Sequence, residues 1–514
     1  MAKTENSPIP TYLANPFVAE NAFIGMKPRI RPLPRFSGAK KLLPKPFWAG
    51  HKDVIRCYWK AWEIAFRNLR RPARGSGFVS PFIDTAFNGN LFMWDSAFIL
   101  MFGKYGERAF HFQGTLDNFY SHQHPDGFIS REIREKDGVE RFERADNSST
   151  GPNIMPWSEW EYYLNFGDRK RLSLVFPALV AYYQWTRANR TWPSGAYWSS
   201  GYGCGMDNQP RFSGERLFPY GKDRQFHCFS HGHMSWVDIT LQQVFSARLL
   251  LRMARVLKRE NDIPDIRREL GRLEDFVNRR MWDPGAGYYF DLNAGGKTTG
   301  VKSVAAFWAL LAGVAAGTRL KKLVSHLRNP REFNRPHRVP SLSADPPDYR
   351  PGGRYWMGGV WAPTTYMVFR GLTGSGEDDL AHEIAVNHLD NVVRVFRDTG
   401  TLWENYAPER AAHGDYSCMP DFVGWTGLAP VSVLFEYVFG IRPEVPENRL
   451  AWDVRLLEEH GVSDYPFGKN GLISLCCAKR KGQKDKPDIR VKSNRPITLS
   501  LKWAGGEETL RVRP

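Results

Sequence analysis

The sequence predicts a mainly α-helical toroid with an extended N-terminal arm and a small C-terminal antiparallel β appendage. Three observations predict it. Apolar residues recur at helical spacing in one segment after another between Val54 and Gly440. Long loops dense in Gly, Pro, Asn, Asp and Trp separate these segments, where a bundle would have short turns. Beyond residue 466 the period shortens to two, with β-branched residues and turn signals between the runs.

Residues 1–50 contain Pro28, Pro32, Pro34, Pro44 and Pro46 and no usable apolar period, so they read as an extended, basic arm on the surface. Helical periodicity then runs through 54–69, 91–105, 107–123, 170–189, 235–260, 265–282, 301–315, 361–372, 380–398 and 422–440, which predicts about ten to twelve helices. The intervening stretches, such as SSTGPNIMPWSEW, YWSSGYGCGMDNQPRF, RPGGRYWMGGVW and LWENYAPERAAHGDYSCMPDF, read as loops with their own chemistry. GLISLCCAK, DIRVKSN, ITLSLKWA and TLRVRP alternate as strands. The expected organisation is an arm at 1–50, a helical catalytic domain at 51–445, and a linker with the β appendage at 446–514.

With 514 residues the chain can bury a sizeable core; 42% hydrophobic and 24% charged residues exclude disordered and collagen-like classes. No apolar run is long enough for a membrane span, and the opening MAKTENSPIPTYLANPF lacks a signal-peptide pattern, so a soluble, cytoplasmic protein is expected. The net charge of +17 is concentrated at the ends: eight basic against two acidic residues in 1–50, and twelve against four in 466–514. The body between is nearly neutral. Basic ends with few interleaved aromatics read as solvated tails or rim patches, which argues against a nucleic-acid partner. The six cysteines form no CxxC pair and read as reduced thiols. Strand edges in the C-terminal tail leave a homo-oligomer open.

Sugars present apolar ring faces and polar edges, so a sugar site needs flat aromatic platforms beside carboxylates and amides. The loops repeat that pairing at Trp94-Asp95, Trp157, Trp198, Asp207-Asn208, Arg211, Trp356, Trp361, Trp403-Glu404-Asn405 and Trp425. Any one of these reads equally as core packing or a helix cap; their recurrence across six loops is the signal.

FMWDSAF (92–98), GCGMDNQPR (203–211), MWDPGAGYYFD (281–291), VAAFWALLAGVA (304–315), YWMGGVWAPTTYMVFRGL (355–372) and LWENYAPE with DFVGWTG (402–427) together resemble the trehalase-like inverting glycosidases, which include trehalases, processing α-glucosidases and mannosylglycerate and glucosylglycerate hydrolases. The resemblance covers about residues 50–440 and implies an (α/α)6 barrel with its site at the loop-rich end. It places the family's general acid on Asp207 and its general base on Glu404. An inverting mechanism needs one protonated carboxyl on the leaving oxygen and one ionised carboxylate on water at the opposite face, roughly 6.5–9.5 Å apart. Asp207, among Met206, Phe212 and glycines, is expected to be desolvated; Glu404, beside Asn405 and Tyr406, is expected to stay ionised. Trp94 and Asp95 match the family's W-D motif, whose Asp holds sugar hydroxyls. Gln123, Asn208, Arg211, Trp361 and Trp425 fall on sugar-pocket positions in the same comparison. Asp238 reads equally as a helix N-cap and is not assigned.

Two departures bear on substrate. Relatives usually read R-G-P-V-W where this chain has Met357-Gly358-Gly359-Val360-Trp361, and trehalases carry a glycine-rich lid where it has HGDYSCMPDF (413–422). These argue against trehalose and leave the reducing-side partner open; the basic excess makes an acidic aglycone, such as a glycerate or uronate, attractive. His227, Cys228, His231 and His233, with His122 and His124, lack a strong metal spacing, and the family chemistry needs no metal or cofactor. The competing readings are a non-catalytic sugar-binding toroid and a uronate lyase or epimerase using His231, His233 and Tyr406.

Overall fold

The computed structural model describes residues 13–211 and 228–514. Twelve helices carry the body: α1 (Lys52–Arg67), α2 (Met93–Gly103), α3 (Asp117–Ser121), α4 (Met155–Phe166), α5 (Arg169–Asn189), α6 (Val237–Leu257), α7 (Pro264–Phe276), α8 (Trp308–Leu311), α9 (Gly317–Arg328), α10 (Ala362–Gly374), α11 (Asp378–Thr399) and α12 (Ala429–Val438). The last has the wider hydrogen-bond spacing of a π-helix.

Burial separates the helices into two kinds. Every residue of α2 and of α12 is buried, whereas α7 buries only Ile266, Glu269 and Leu273, on one stripe. The even-numbered helices pack in succession: α2 on α4, α4 on α6, α6 on α8, α8 on α10, α10 on α12, and α12 back on α2. Odd-numbered helices lie against them, α5 on α4 and α6, and α11 on α10 and α12. A tight joint at Gly167 illustrates the local logic: its φ of 66° ends α4 in the left-handed cap that glycine favours, and the next residue, Asp168, caps α5 by accepting from Arg171 N–H at 3.0 Å.

The two ends of the even-numbered helices differ. At their N-terminal end stand Trp94, Asp95, Trp361 and Trp425, with Trp361 and Trp425 5.7 Å apart in edge-to-face contact. At the opposite end Lys104 lies 3.2 Å from Glu161 and 3.0 Å from Glu436, and Arg370 pairs with Glu161 as well. Tyr105 and Tyr366 donate to the two oxygens of Glu436 at 2.7 and 2.6 Å. Two cations and two carboxylates therefore balance inside the closed end, each with hydrogen-bonded partners.

The β layer covers that closed end. Strands β1 (Lys45–Trp48), β2 (Ile441–Glu444), β3 (Arg449–Asp453), β4 (His460–Pro466), β5 (Leu472–Cys477), β6 (Ile489–Ser493), β7 (Ile497–Trp503) and β8 (Gly506–Val512) form two four-stranded sheets, ordered β1-β4-β5-β6 and β8-β7-β3-β2. Tyr465 packs on Tyr105 and Phe435, and Trp48 on Phe439, at ring separations of 5.5, 5.7 and 6.0 Å.

The mainly helical body with small C-terminal sheets matches the sequence expectation, with five corrections. The end of the arm is not free surface: Lys45–Trp48 is an edge strand paired with β4, which Pro46 tolerates, and Phe17, Phe23, Leu43 and Trp48 are buried. The β layer starts at Ile441 rather than 466, and it is not wholly antiparallel, because β7 runs parallel to β3. Helix α4 falls where the sequence predicts a loop, because it is buried on nearly all sides and shows no period. Helix α9 was overlooked although Leu320, Leu323, Val324 and Leu327 do recur at helical spacing. The long helix expected over 107–123 is broken into short turns, where Gly106 lies so close to Phe112 and Trp62 that a Cβ would come within 2.9 Å of either ring.

Candidate active site

Three carboxyl groups converge at the N-terminal end of the even-numbered helices. Asp95 is in the first turn of α2. Asp207 follows a short turn in which the Ser200 hydroxyl accepts from Gly203 N–H at 3.0 Å. Gly205, at φ 79°, lays this loop against Trp94, and a Cβ there would meet the indole at 3.1 Å. Glu404 lies on a loop held to the 352–361 segment, where Val360 and Tyr406 exchange backbone hydrogen bonds of 2.8 and 3.0 Å.

Glu404 is 1% exposed. Its Oε2 accepts from Met419 N–H at 3.1 Å and its Oε1 from the Tyr355 hydroxyl at 3.2 Å. Trp425 Nε1–H donates to its backbone carbonyl at 3.0 Å. Burial pushes the Glu404 carboxyl up to about 7, with the Asp207 charge adding to the rise and the two donors opposing it. Burial pushes Asp207 up to about 6, against the attraction of Arg131. Burial likewise raises Asp95 to about 8, with Glu404 and Asp207 adding and Arg131 opposing. The Tyr355 phenol is raised well above its usual range, first by burial and then by Asp207, Glu404 and Asp95. It is therefore a permanent donor.

The expectation that Asn405 and Tyr406 keep Glu404 ionised is corrected here. The Asn405 amide has no hydrogen-bond partner, and the Tyr406 hydroxyl faces Trp403 N–H. Tyr355 and Met419 supply the donors instead, and burial outweighs them.

Aromatic rings wall the cluster. Trp361 stacks on Trp356 at 3.9 Å with planes 4° apart, and Tyr355 stands edge-on to Trp361 at 4.8 Å. Trp94 packs on Phe98 and Trp308, and its indole N–H is buried without a partner. Arg131, beneath Tyr202 and Phe142, donates to Ser148 O and Glu132.

The structure thus brings together Trp94, Asp95, Asp207, Trp361, Glu404 and Trp425. Three other predicted site residues are engaged elsewhere. Arg211 is 1% exposed, with its guanidinium divided between Asp238, at 2.5 and 3.0 Å, and Asp291, at 3.0 Å, while Nε donates to Gln209. Asp238, left unassigned from the sequence, is its partner. Gln123 donates to Gly127 O and Ala178 O and accepts from Asn21, so its amide ties the N-terminal segment to α5. Asn208 adjoins Asp207, but its amide donates to Arg354 O and accepts from Trp356 N–H. Phe212 and His227 lie outside the described residues. His231 and His233 face each other and Trp192, while Tyr406 packs on His337. His122 bonds Asn118 O and Ser76 O, and His124 pairs with Glu140. Among the described residues no three His, Cys, Asp or Glu side chains, the three converging carboxyls included, are arranged to hold a metal ion, and no helix is long and apolar enough to cross a membrane.

Tyr355 and Arg131 were missed in the sequence reading. Tyr355 stands inside the quoted YWMGGVW motif, and Arg131 closely follows PDGF; a donor and a cation beside acidic motifs were the available signals.

A mannosylglycerate hydrolase from Thermus thermophilus is 25% identical over 358 residues, covering 58% of this chain and 85% of that protein. The crystal structure of the GH63 mannosylglycerate hydrolase of Thermus thermophilus in complex with glucose superposes with a TM-score of 0.58 at 23% identity, over 73% of this chain and 99% of that one. Neutral trehalase from Saccharomyces cerevisiae shares the fold at a TM-score of 0.52 and 15% identity, over 70% of this chain and 74% of that one. Residues 89–426 match the family model described as the mannosylglycerate hydrolase MGH1-like glycoside hydrolase domain, and the chain belongs to this family of glycoside hydrolases.

Proposed function

We propose that the protein is an inverting, exo-acting α-glycoside hydrolase of a small oligosaccharide or glycoside, with Asp207 as general acid and Glu404 as general base. Its helices α1–α12 are read as an (α/α)6 toroid, on the strength of the packing cycle that returns from α12 to α2. The observation that carries the functional reading is geometric: the loops of Asp207 and Glu404 both bond to the 352–361 segment, Asn208 to Arg354 and Trp356 and Tyr406 to Val360, beside the stacked Trp356 and Trp361.

In the reaction, the Asp207 carboxyl gives its proton to the glycosidic oxygen as the bond to the anomeric carbon breaks. Glu404 takes a proton from water, whose oxygen attacks that carbon from the opposite face. The released sugar carries the inverted anomer. Burial raises Asp207 to about 6 and Glu404 to about 7, the reverse of the order the two roles require, so the choice of acid and base rests on the M-D-N and E-N-Y motifs and not on these values. Asp95, near 8, stays protonated at neutral pH and can donate to a sugar hydroxyl. The Arg131 cation, which acts on Asp207, favours a carboxylate-bearing aglycone on the leaving-group side. That agrees with the relative named for mannosylglycerate.

Asp207→Asn and Glu404→Gln test the assignment against a panel of mannosylglycerate, glucosylglycerate, trehalose, kojibiose, nigerose and α-linked uronides. A glycosidase loses nearly all turnover while calorimetric affinity persists. A binding protein changes little, and a lyase still releases an unsaturated product that absorbs in the ultraviolet.

A further inference from the structure

The Tyr355 hydroxyl reaches Glu404 from an unusual backbone. Arg354 and Tyr355 are consecutive non-glycine residues with φ of 33° and 66°. Positive φ costs side-chain-bearing residues of order 1 kcal/mol each, so such a turn persists only where its surroundings fix it. They do so at every polar backbone position from Arg354 N to Trp356 O, except the Tyr355 N–H. Arg354 N–H donates to Asp415 Oδ1 at 2.8 Å. Arg354 O accepts from Asn208 Nδ2 at 3.1 Å, and Trp356 N–H donates to Asn208 Oδ1 at 2.8 Å. Tyr355 O accepts from Trp361 Nε1–H at 3.2 Å and from Gly359 N–H at 3.1 Å, and Trp356 O from the Ser341 hydroxyl at 3.0 Å.

Two of these clamps come from the loops that carry the reacting carboxyls. Asn208 is the residue after Asp207. Asp415 is on the loop that leaves Glu404, and its own N–H donates to Gly352 O at 3.1 Å. Asp415 is exposed, and no core packing depends on it. Among the described residues, the titratable groups that face Glu404 are Tyr355, Asp207, Asp95 and Cys418, and of these Tyr355 alone donates to its carboxylate.

We infer that Asn208 and Asp415 are positioning residues, which hold the Arg354–Tyr355 turn so that the Tyr355 hydroxyl stays on Glu404 and orients the base. The inference rests on the reading of Glu404 as base and assigns Asn208 a role other than contact with sugar.

α-Mannosyl and α-glucosyl fluoride are the probes, because fluoride departs with little help from an acid and their turnover reports on the base. For Tyr355→Phe, loss of one hydrogen bond to a carboxylate should raise the acidic limb of the kcat/KM profile by about one pH unit. Asp415→Ala and Asn208→Ala should raise it as far, with KM little changed. Asp415→Asn, which keeps the acceptor oxygen, should restore the parent profile, and Asp415→Ala with Tyr355→Phe should shift no further than Tyr355→Phe alone. If Tyr355→Phe moves the limb and the exposed-site variant Asp415→Ala does not, the clamp is wrong and the base assignment stands. A limb that ignores Tyr355→Phe, or a parent protein that hydrolyses neither fluoride, overturns the clamp together with the reading of Glu404.

Discussion

The Tyr355 hydroxyl donates to Glu404 Oε1 at 3.2 Å while Met419 N–H holds Oε2 at 3.1 Å, so both oxygens of the proposed base are engaged and its direction is fixed. A carboxylate aimed by two donors in a buried, aromatic-walled site can hold a water without reorganising.

Asp95 and Glu404 have carboxyl groups raised by burial to about 8 and about 7. A carboxyl whose folded pKa exceeds its unfolded value near 4 stabilises the fold below that unfolded value, and the benefit is lost as pH rises through the folded one. Glu404→Gln and Asp95→Asn should therefore raise Tm at pH 8 by on the order of 1–2 °C. The gain should vanish toward pH 4 in a series of calorimetric scans. A gain that grows on acidification would contradict the electrostatic reading.

Arg211 is shared between Asp238 and Asp291 in full burial. Arg211→Ala leaves two carboxylates without their cation and should cost about 3–5 kcal/mol in urea unfolding. Arg211→Lys cannot reproduce the two-pronged contact and should recover only part of that. If instead either variant folds with parent stability and shows only a raised KM, Arg211 contacts substrate.

At the other end of the helices, Glu436 accepts from Tyr105 and Tyr366 and pairs with Lys104 at 3.0 Å. Glu436→Gln leaves positive charge uncompensated in the closed end and should destabilise by about 3–5 kcal/mol. Turnover at a temperature where the variant is folded should match the parent, because the network is far from the reacting carboxyls. Unequal loss of kcat there would show that the two ends are coupled.

Trp94 presents a buried indole N–H with no partner among the described residues. If a sugar hydroxyl accepts from it, Trp94→Phe removes one neutral hydrogen bond, worth about 1 kcal/mol, and raises KM about fivefold with Tm nearly unchanged. Unchanged KM in steady-state kinetics would place the N–H outside the sugar pocket.

Much of this was legible in the chain because toroid helices and their acidic loops carry local signatures: periodic apolar runs, and W-D, M-D-N and E-N-Y motifs at loop ends. The misses share a physical origin. Helix α4 is buried all round and so shows no amphipathic period, while β2 and β3 are too short to alternate visibly. Arg211, Gln123 and Asn208 were sorted by motif, yet a motif does not say whether an amide or guanidinium is spent on the fold; only the partners Asp238, Ala178 and Arg354 decide that. Tyr355 escaped notice because its role depends on a two-residue positive-φ turn that no composition signals.

The most direct test is proton NMR of the anomeric region during the first minutes of hydrolysis of whichever α-glycoside in the panel is cleaved. Direct attack of water activated by Glu404, with Asp207 as acid, predicts that the β-anomer of the released sugar appears first and mutarotates to the mixture afterwards. An α-anomer as the first product would mean retention through a covalent intermediate and would contradict the assignment of both carboxyls.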